Sequence, residues 1–279
     1  MNVVDKLVDL IRKTSSSLPE DVLRALKAVA RKERKGSSAA VVLKTILENC
    51  AIAAKRGTPL CQDTGTLTFF VDEKLRRKVT PAAIKKAVAL ATEKGYLRKN
   101  TIDSVTGKSY DDNVCEGAPV LHYEGREKGK GKREKCGVTL ILKGGGSENM
   151  SRQYSLPDAA LGAGRDLAGV RACILDAVQK IQGYGCAPGI LGVCIGGDRA
   201  TGFEVAKEQL LRPLDEKPSA LERRLLREAN SLGIGPMGLG GKTTLLGVKI
   251  AARPRVPASF FVTIAYMCWA CRRRTVCVE

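Results

Sequence analysis

The hydrophobic pattern of this chain changes period near Gly57, and that change limits what it can fold into. Before it, Val3, Val4, Leu7, Leu10 and Ile11 recur at helical spacing. Ser17 and Glu20 have capping-box spacing ahead of Val22, Leu23, Leu26 and Val29. A third helix is predicted from about Ser38 to Arg56, stopped by Gly57 and Pro59. After it, short strand-like and helix-like runs alternate. LTFFV (67–71) reads as strand, and Thr80-Pro81 opens a helix that Gly95 closes. PVLHYE, around His122, and VTLILK (138–143) read as strands. A helix follows from Leu167 to Gln182, then a strand at 190–195 and a helix from about Ala200 to Leu211. Ser219 and Glu222 form a second capping box before a helix to Asn230, and 244–252 and 259–267 read as strands. The expected fold class is mixed α/β: a helical N-terminal section, about residues 1–57, followed by interleaved strands and helices. With no internal repeat and no long linker, residues 1–279 are expected to form a single domain.

A chain of 279 residues with 44% hydrophobic and 27% charged residues can bury a sizeable core. Its longest mostly apolar stretch, Val256 to Ala270, is broken by Pro257, Ser259 and Thr263 and falls short of the roughly 18 to 20 residues a bilayer requires. The start, MNVVDKLVDLIRK, lacks the apolar core of a signal peptide, so a cytoplasmic, non-membrane protein is expected. The formal charge of +18 admits three partner classes: nucleic acid, an acidic protein surface, or small anions. Aromatics amount to only 4%, which argues against a base-stacking platform. The lysine-rich segment EGREKGKGKREKCG (124–137) reads as an exposed basic hairpin or loop. A nucleic-acid-binding protein using that loop and Arg272–Arg274 is the alternative from another class.

Ten cysteines occur in what is expected to be a reducing setting, so disulfides are not the default. Cys173 and Cys194 lie in apolar runs and read as core residues, whereas Cys61 and Cys186 stand beside glycines, prolines and polar groups. Four segments stand out: PLCQDTGT (59–66), KGGGSENMS (143–151), GYGCAPGILGVCIGGDRA (183–200) and GIGPMGLGGKTT (233–244). The last resembles a phosphate-binding P-loop but departs from its spacing, because Pro236 stands where glycine is needed and Gly235 is one residue out of register. It is a glycine loop suited to holding an anion or to close packing. The triple glycine 144–146 could receive a carboxylate on its N–H groups or form a bulge. A cysteine nucleophile would need a base, and the one histidine, His122, sits in a strand. Zinc spacing is missing; Cys268-x-x-Cys271 is an isolated CxxC.

Taken in order, PLCQDTG, KGGGSEN, GCAPG with IGGDRA, GIGPMGLGGKTT and the late YMCWA resemble the α subunit, or N-terminal domain, of the iron–sulfur hydro-lyases. That family includes the class I fumarases and L(+)-tartrate dehydratase, and the resemblance runs from about residue 5 to 275. It implies a [4Fe–4S] cluster on Cys61, Cys186 and Cys268, which no ferredoxin spacing would have indicated. It further implies substrate binding by Gln62, Asp63, Arg98 and the backbone of Gly144 and Gly145, with Asp63 the matched candidate for proton transfer. A small dicarboxylate is the implied substrate. Hydration of fumarate to malate comes first and dehydration of L-tartrate second. A β-type hydro-lyase subunit is the implied partner. Two departures stand out: Val256 replaces a histidine common in these fumarases, twelve residues before the last cluster cysteine, and Cys271 and Cys277 are additional.

Overall fold

Helical periodicity holds through residue 56 in the computed structural model, which describes residues 2–124 and 137–278. Helices α1 (Val3–Ser16), α2 (Glu20–Ala30) and α3 (Ser38–Arg56) come first. Strand β1 (Thr66–Asp72), helix α4 (Pro81–Glu93) and strands β2 (Thr101–Ile102), β3 (Ser109–Tyr110), β4 (Val120–Glu124) and β5 (Gly137–Lys143) follow. Next are α5 (Gly145–Asn149), β6 (Arg152–Ser155), α6 (Leu167–Ile181), β7 (Gly189–Ile195), α7 (Arg199–Gln209) and α8 (Ala220–Ser231). Strands β8 (Leu245–Ala252), β9 (Phe261–Met267) and β10 (Arg272–Cys277) end the chain. The mixed α/β class is thus observed. The basic segment expected as an exposed hairpin, 125–136, lies outside the described residues.

Local chemistry explains most of the boundaries. Thr80 accepts the Ala83 N–H and Pro81 starts α4, while Ser219 and Glu222 close a full capping box on α8. The first expected capping box does not form. Ser17 instead closes α1, its N–H and hydroxyl both donating to the Lys13 carbonyl. A hydroxyl directly after a helix finds an orphan carbonyl within reach before the next helix has begun.

Two compact units make up the chain, and each is discontinuous in sequence. The first takes residues 1–19, 48–145 and 270–279; the second takes 20–47 and 146–269. In the first, a four-stranded sheet runs β10-β5-β1-β4, with β1 and β4 parallel and the other pairs antiparallel. Alternate residues Leu67, Phe69 and Val71 of β1 and Val138, Leu140 and Leu142 of β5 join a core with Leu7, Leu10 and Ile11 of α1 and Ile84, Ala87 and Val88 of α4. Burying such a Leu, Ile or Val contributes about 1.5–3 kcal/mol, so this core carries much of the unit's stability.

In the second unit the sheet runs β6-β9-β7-β8, with β7 and β8 parallel. Leu191 and Val193 of β7 join a core with Val170, Ile174 and Val178 of α6 and Leu225 of α8. The intervening Gly192 faces α7, where a Cβ would collide with the Ala206 carbonyl. Strand β7 is therefore covered on both faces, and its turn, Gly183 to Pro188, emerges from the end of α6.

Candidate functional site

The segment Leu60–Gly65 bridges α3 to β1 in the first unit, and polar groups hold it along its length. The Leu60 N–H donates to the Ser15 carbonyl at 2.8 Å, and the Asn49 amide donates to the Leu60 carbonyl at 3.0 Å. Cys61 is half-buried and Gln62 exposed, with the thiol 3.6 Å from the Gln62 amide oxygen. The Asp63 carboxylate accepts the Gly145 N–H at 2.7 Å, and the Asn100 amide lies 3.5 Å from its other oxygen. A Cβ on Gly144 would stand 2.8 Å from that carboxylate, so glycine admits the close approach. Gly65, at φ +75°, lies so close to the Lys143 carbonyl that a side chain would collide with it.

Arg98 is brought to the same loop by its main chain. The Thr64 hydroxyl accepts the Arg98 N–H at 2.9 Å and lies 3.2 Å from the Arg98 carbonyl. Buried Asn113, at φ +60°, donates to that carbonyl at 2.8 Å and accepts the N–H groups of Asn100 and Thr101. The Arg98 side chain is exposed. The resemblance assigns the Gly145 N–H to a bound acid; Asp63 occupies that N–H, so one carboxylate already stands where another would bind. The main-chain carbonyl of Asp63 accepts the Arg272 guanidinium at 2.8 Å. Arg272 is 2% exposed on β10, so it is withdrawn from the basic surface to which the nucleic-acid alternative assigned it.

Cys186 and Cys268 belong to the second unit, and their segments adjoin: the Trp269 N–H donates to the Cys186 carbonyl at 3.2 Å. Both thiols are half-buried. Cys50, Cys173 and Cys194 are buried instead, and burial pushes each thiol up to about 11. Such groups are poor thiolate donors, so the structure sorts the cysteines by availability. Cys186 has φ +50°, a left-handed conformation that glycine adopts without strain, yet a side chain is retained there. Its neighbour Gly185 could not carry one, because a Cβ would lie 2.7 Å from the Tyr266 ring. Gly189 meets the same ring and its hydroxyl even more closely.

Two further segments support this turn, one of them the glycine loop whose composition suited close packing. The buried Ser147 hydroxyl accepts the Cys268 N–H at 3.1 Å, which fixes the cysteine's main chain. The P-loop-like segment 233–244 has a packing role: the Met237 N–H donates to the Ala187 carbonyl at 2.9 Å, and Gly238 abuts Gly183. Its Lys242 N–H donates to the Glu33 carboxylate at 2.9 Å, so a protein carboxylate already supplies the anion. His122 is stacked on Phe70, ring centres 5.1 Å apart, as their parallel register on β4 and β1 dictates. Val256, at the position of the family's histidine, is 64% exposed.

Among the described residues, no three or more His, Cys, Asp or Glu side chains converge to hold a single metal ion. No helix among them is long and apolar enough to cross a membrane. The second unit nonetheless offers what a sulfur-ligated group needs: two half-buried thiols on adjoining segments, and in the same unit a buried polar atom with no hydrogen-bond partner among the described residues. That atom is the Tyr266 hydroxyl, fully buried and without a hydrogen-bond partner among the described residues. Burial above all, then the charges of the Cys268 and Cys186 thiols, holds Tyr266 well above the ordinary tyrosine range.

A family model described as fumarate hydratase (Fumerase) matches residues 4–277. The chain is 48% identical to a protein of Geobacillus stearothermophilus named as a candidate class I fumarate hydratase, over 99% of this chain and 54% of that protein. It is 35% identical to one of Methanocaldococcus jannaschii named as a candidate L(+)-tartrate dehydratase subunit alpha, over 98% of this chain and 96% of that protein. It is 28% identical to the L(+)-tartrate dehydratase subunit alpha of Escherichia coli K12, over 99% and 92% of the two. The chain therefore spans about half the length of the first relative and nearly all of the other two.

Proposed function

The chain belongs to the fumarate hydratase (Fumerase) family, and on that premise we propose that it is the α-subunit-type part of a hydro-lyase that adds water to fumarate to give malate. The higher identity to the fumarate hydratase relative puts fumarate first. The alignments with two tartrate dehydratase α subunits support dehydration of L-tartrate as the second reading. Residues 1–279 act as one family domain in this proposal, working in a reducing cytoplasm with a β-type subunit or domain.

Cys61, Cys186 and Cys268 would hold a [4Fe–4S] cluster. The chemistry of the donor set supports this: the three thiols are half-buried, whereas Cys173 and Cys194 are buried in the core. When bound, a cluster with three cysteine ligands supplies a Lewis-acidic iron with an open position. The chain's own residues do the rest. Arg98 orients a substrate carboxylate through a two-pronged guanidinium contact, aimed by the Thr64 and Asn113 bonds to its main chain. Gln62 offers an exposed amide to the same substrate. Asp63 carries a proton in this proposal, and a substrate acid group competes with it for the Gly145 N–H. Elimination also needs a base across the carbon skeleton from the leaving hydroxyl, and that base falls to the partner. The positive charge of this chain suits an acidic partner surface.

The observation that carries the reading is the bond joining the Cys186 and Cys268 segments, which gathers two of the three thiols beside an orphaned hydroxyl. Anaerobic reconstitution tests it. The chain should load about four irons, as one cubane cluster requires. Cys61→Ser, Cys186→Ser and Cys268→Ser should each abolish loading, while Cys173→Ser should keep it. Full retention in Cys186→Ser overturns the ligand assignment. The loaded chain should hydrate fumarate only once a β-type partner is added, and equal turnover without it refutes the two-component scheme.

A further inference from the structure

Tyr266 lies on β9, and Cys268 follows directly after the end of that strand. Its ring is clasped by Gly185 and Gly189, the glycines on either side of Cys186, neither of which has room for a Cβ beside it. The ring, and the hydroxyl with it, is thus held against the main chain that flanks Cys186. A fully buried phenol without a partner is costly, on the order of 1–3 kcal/mol, and Phe would fill the same space without that cost. Nothing in the protein itself, among the described residues, accounts for the oxygen. An acceptor that arrives with a bound group does account for it.

We propose that Tyr266 is a positioning residue whose hydroxyl donates a hydrogen bond to the cysteine sulfurs of the bound cluster, Cys268 first, and so sets its reduction potential. The inference rests on the cluster reading above. A donor on a ligand sulfur withdraws electron density and favours the reduced, more negative cluster, which raises the potential. Neutral phenol donates, the sulfur accepts, and no bond is broken.

The test compares wild type and Tyr266→Phe, each purified without iron and then reconstituted anaerobically. Without the cluster, the variant should melt at the same temperature as wild type or higher, because it loses only an unpartnered oxygen. With the cluster, its midpoint potential, read by redox titration of the reduced-cluster EPR signal, should shift to more negative values. A variant that folds normally by circular dichroism but loses its cluster faster than wild type also supports the proposal. An iron-free variant that melts lower, or fails to fold, shows that the hydroxyl has a partner in the protein and overturns it. Equal potentials with full loading overturn it as well. Wild type that loads no cluster refutes the underlying reading instead, so the two failures are distinguishable.

Discussion

The loop at Cys61 and the turn at Cys186 present the same kind of half-buried thiol by opposite means. Around Cys61 the chain is pinned by polar bonds to distant segments: Asp63 to Gly145, Thr64 to Arg98, and the Asp63 carbonyl to Arg272. Around Cys186 it is wedged by glycines. Gly185 and Gly189 grip the Tyr266 ring, Gly238 abuts Gly183, and Gly235 lies against the Gly240 carbonyl. Hydrogen bonds of this kind each contribute about 1 kcal/mol net and can be removed singly. Close backbone packing has no such gradation, because a single added carbon must displace main chain. The first device tolerates adjustment, as an anion-binding loop must, and the second enforces a fixed thiol position.

The largest effect should therefore come from the wedged turn. Gly235→Ala places a Cβ into the Gly240 carbonyl at φ +70°, and Gly189→Ala drives one into the Tyr266 ring. Each should cost about 3 kcal/mol or more, from overpacking together with the strain of a left-handed alanine at Gly235. Urea unfolding checks this. A loss under 1 kcal/mol would mean that the turn yields, and the contrast with the Cys61 loop would collapse.

Arg98→Lys should sharpen the other side of the contrast. Lysine keeps the charge but not the fork, so turnover of the assembled enzyme should fall by about 2–4 kcal/mol in transition-state stabilisation. Cluster loading and stability should stay unchanged, since the Thr64 bonds involve the Arg98 main chain and not its guanidinium. Turnover within twofold of wild type would show that Arg98 does not hold substrate.

How much of this was readable in advance depended on whether neighbours in space were neighbours in sequence. Helices α3, α4, α6 and α8 and strands β1, β5, β7, β8 and β9 follow from local periodicity and caps. Strand β10 does not, because RRRTVC looks like a solvated basic tail. Its pairing with β5 and the burial of Arg272 depend on a carbonyl at Asp63, remote in the chain. The two-unit division was likewise hidden, since each unit is assembled from separated segments. Asn113 lies in no motif, and KGGGSEN and YMCWA contain Ser147 and Tyr266 without disclosing what either side chain does. Their roles appear only once other segments supply Arg98, Cys268 and the glycines at 185 and 189.

Arg272→Met probes that hidden strand and should have an intermediate effect. The substitution keeps the aliphatic stem but leaves the Asp63 carbonyl without the guanidinium that reaches it at 2.8 Å. Losing a hydrogen bond to a buried charged donor costs about 2 kcal/mol, partly offset by no longer burying the charge. Urea unfolding should register most of that loss, and the KM of the assembled enzyme should rise as the Asp63 segment loosens. Unchanged stability and KM would remove Arg272 from the supports of the loop.

The smallest effect is also the most discriminating, because it makes one substitution in both settings. Thr64 and Thr244 are both buried threonines whose hydroxyls accept a main-chain N–H, from Arg98 at 2.9 Å and from Gly235 at 3.1 Å. Valine keeps the shape of each and removes the oxygen. At Thr64 the hydroxyl also reaches the Arg98 carbonyl, so two bonds to the Arg98 main chain depend on that one oxygen. Thr64→Val should therefore cost about 2 kcal/mol, with a several-fold rise in KM as the Arg98 backbone drifts. At Thr244 the Gly235 turn is still trapped against Gly240, and the Thr244 N–H remains bonded to Asn230 at 2.8 Å. Thr244→Val should cost about 1 kcal/mol and leave KM and cluster loading as in wild type. Parallel urea titrations with matched slopes give the two stability losses directly. If Thr244→Val proves the more damaging, the Cys186 turn depends on its hydrogen bonds after all, and packing is not what fixes that thiol.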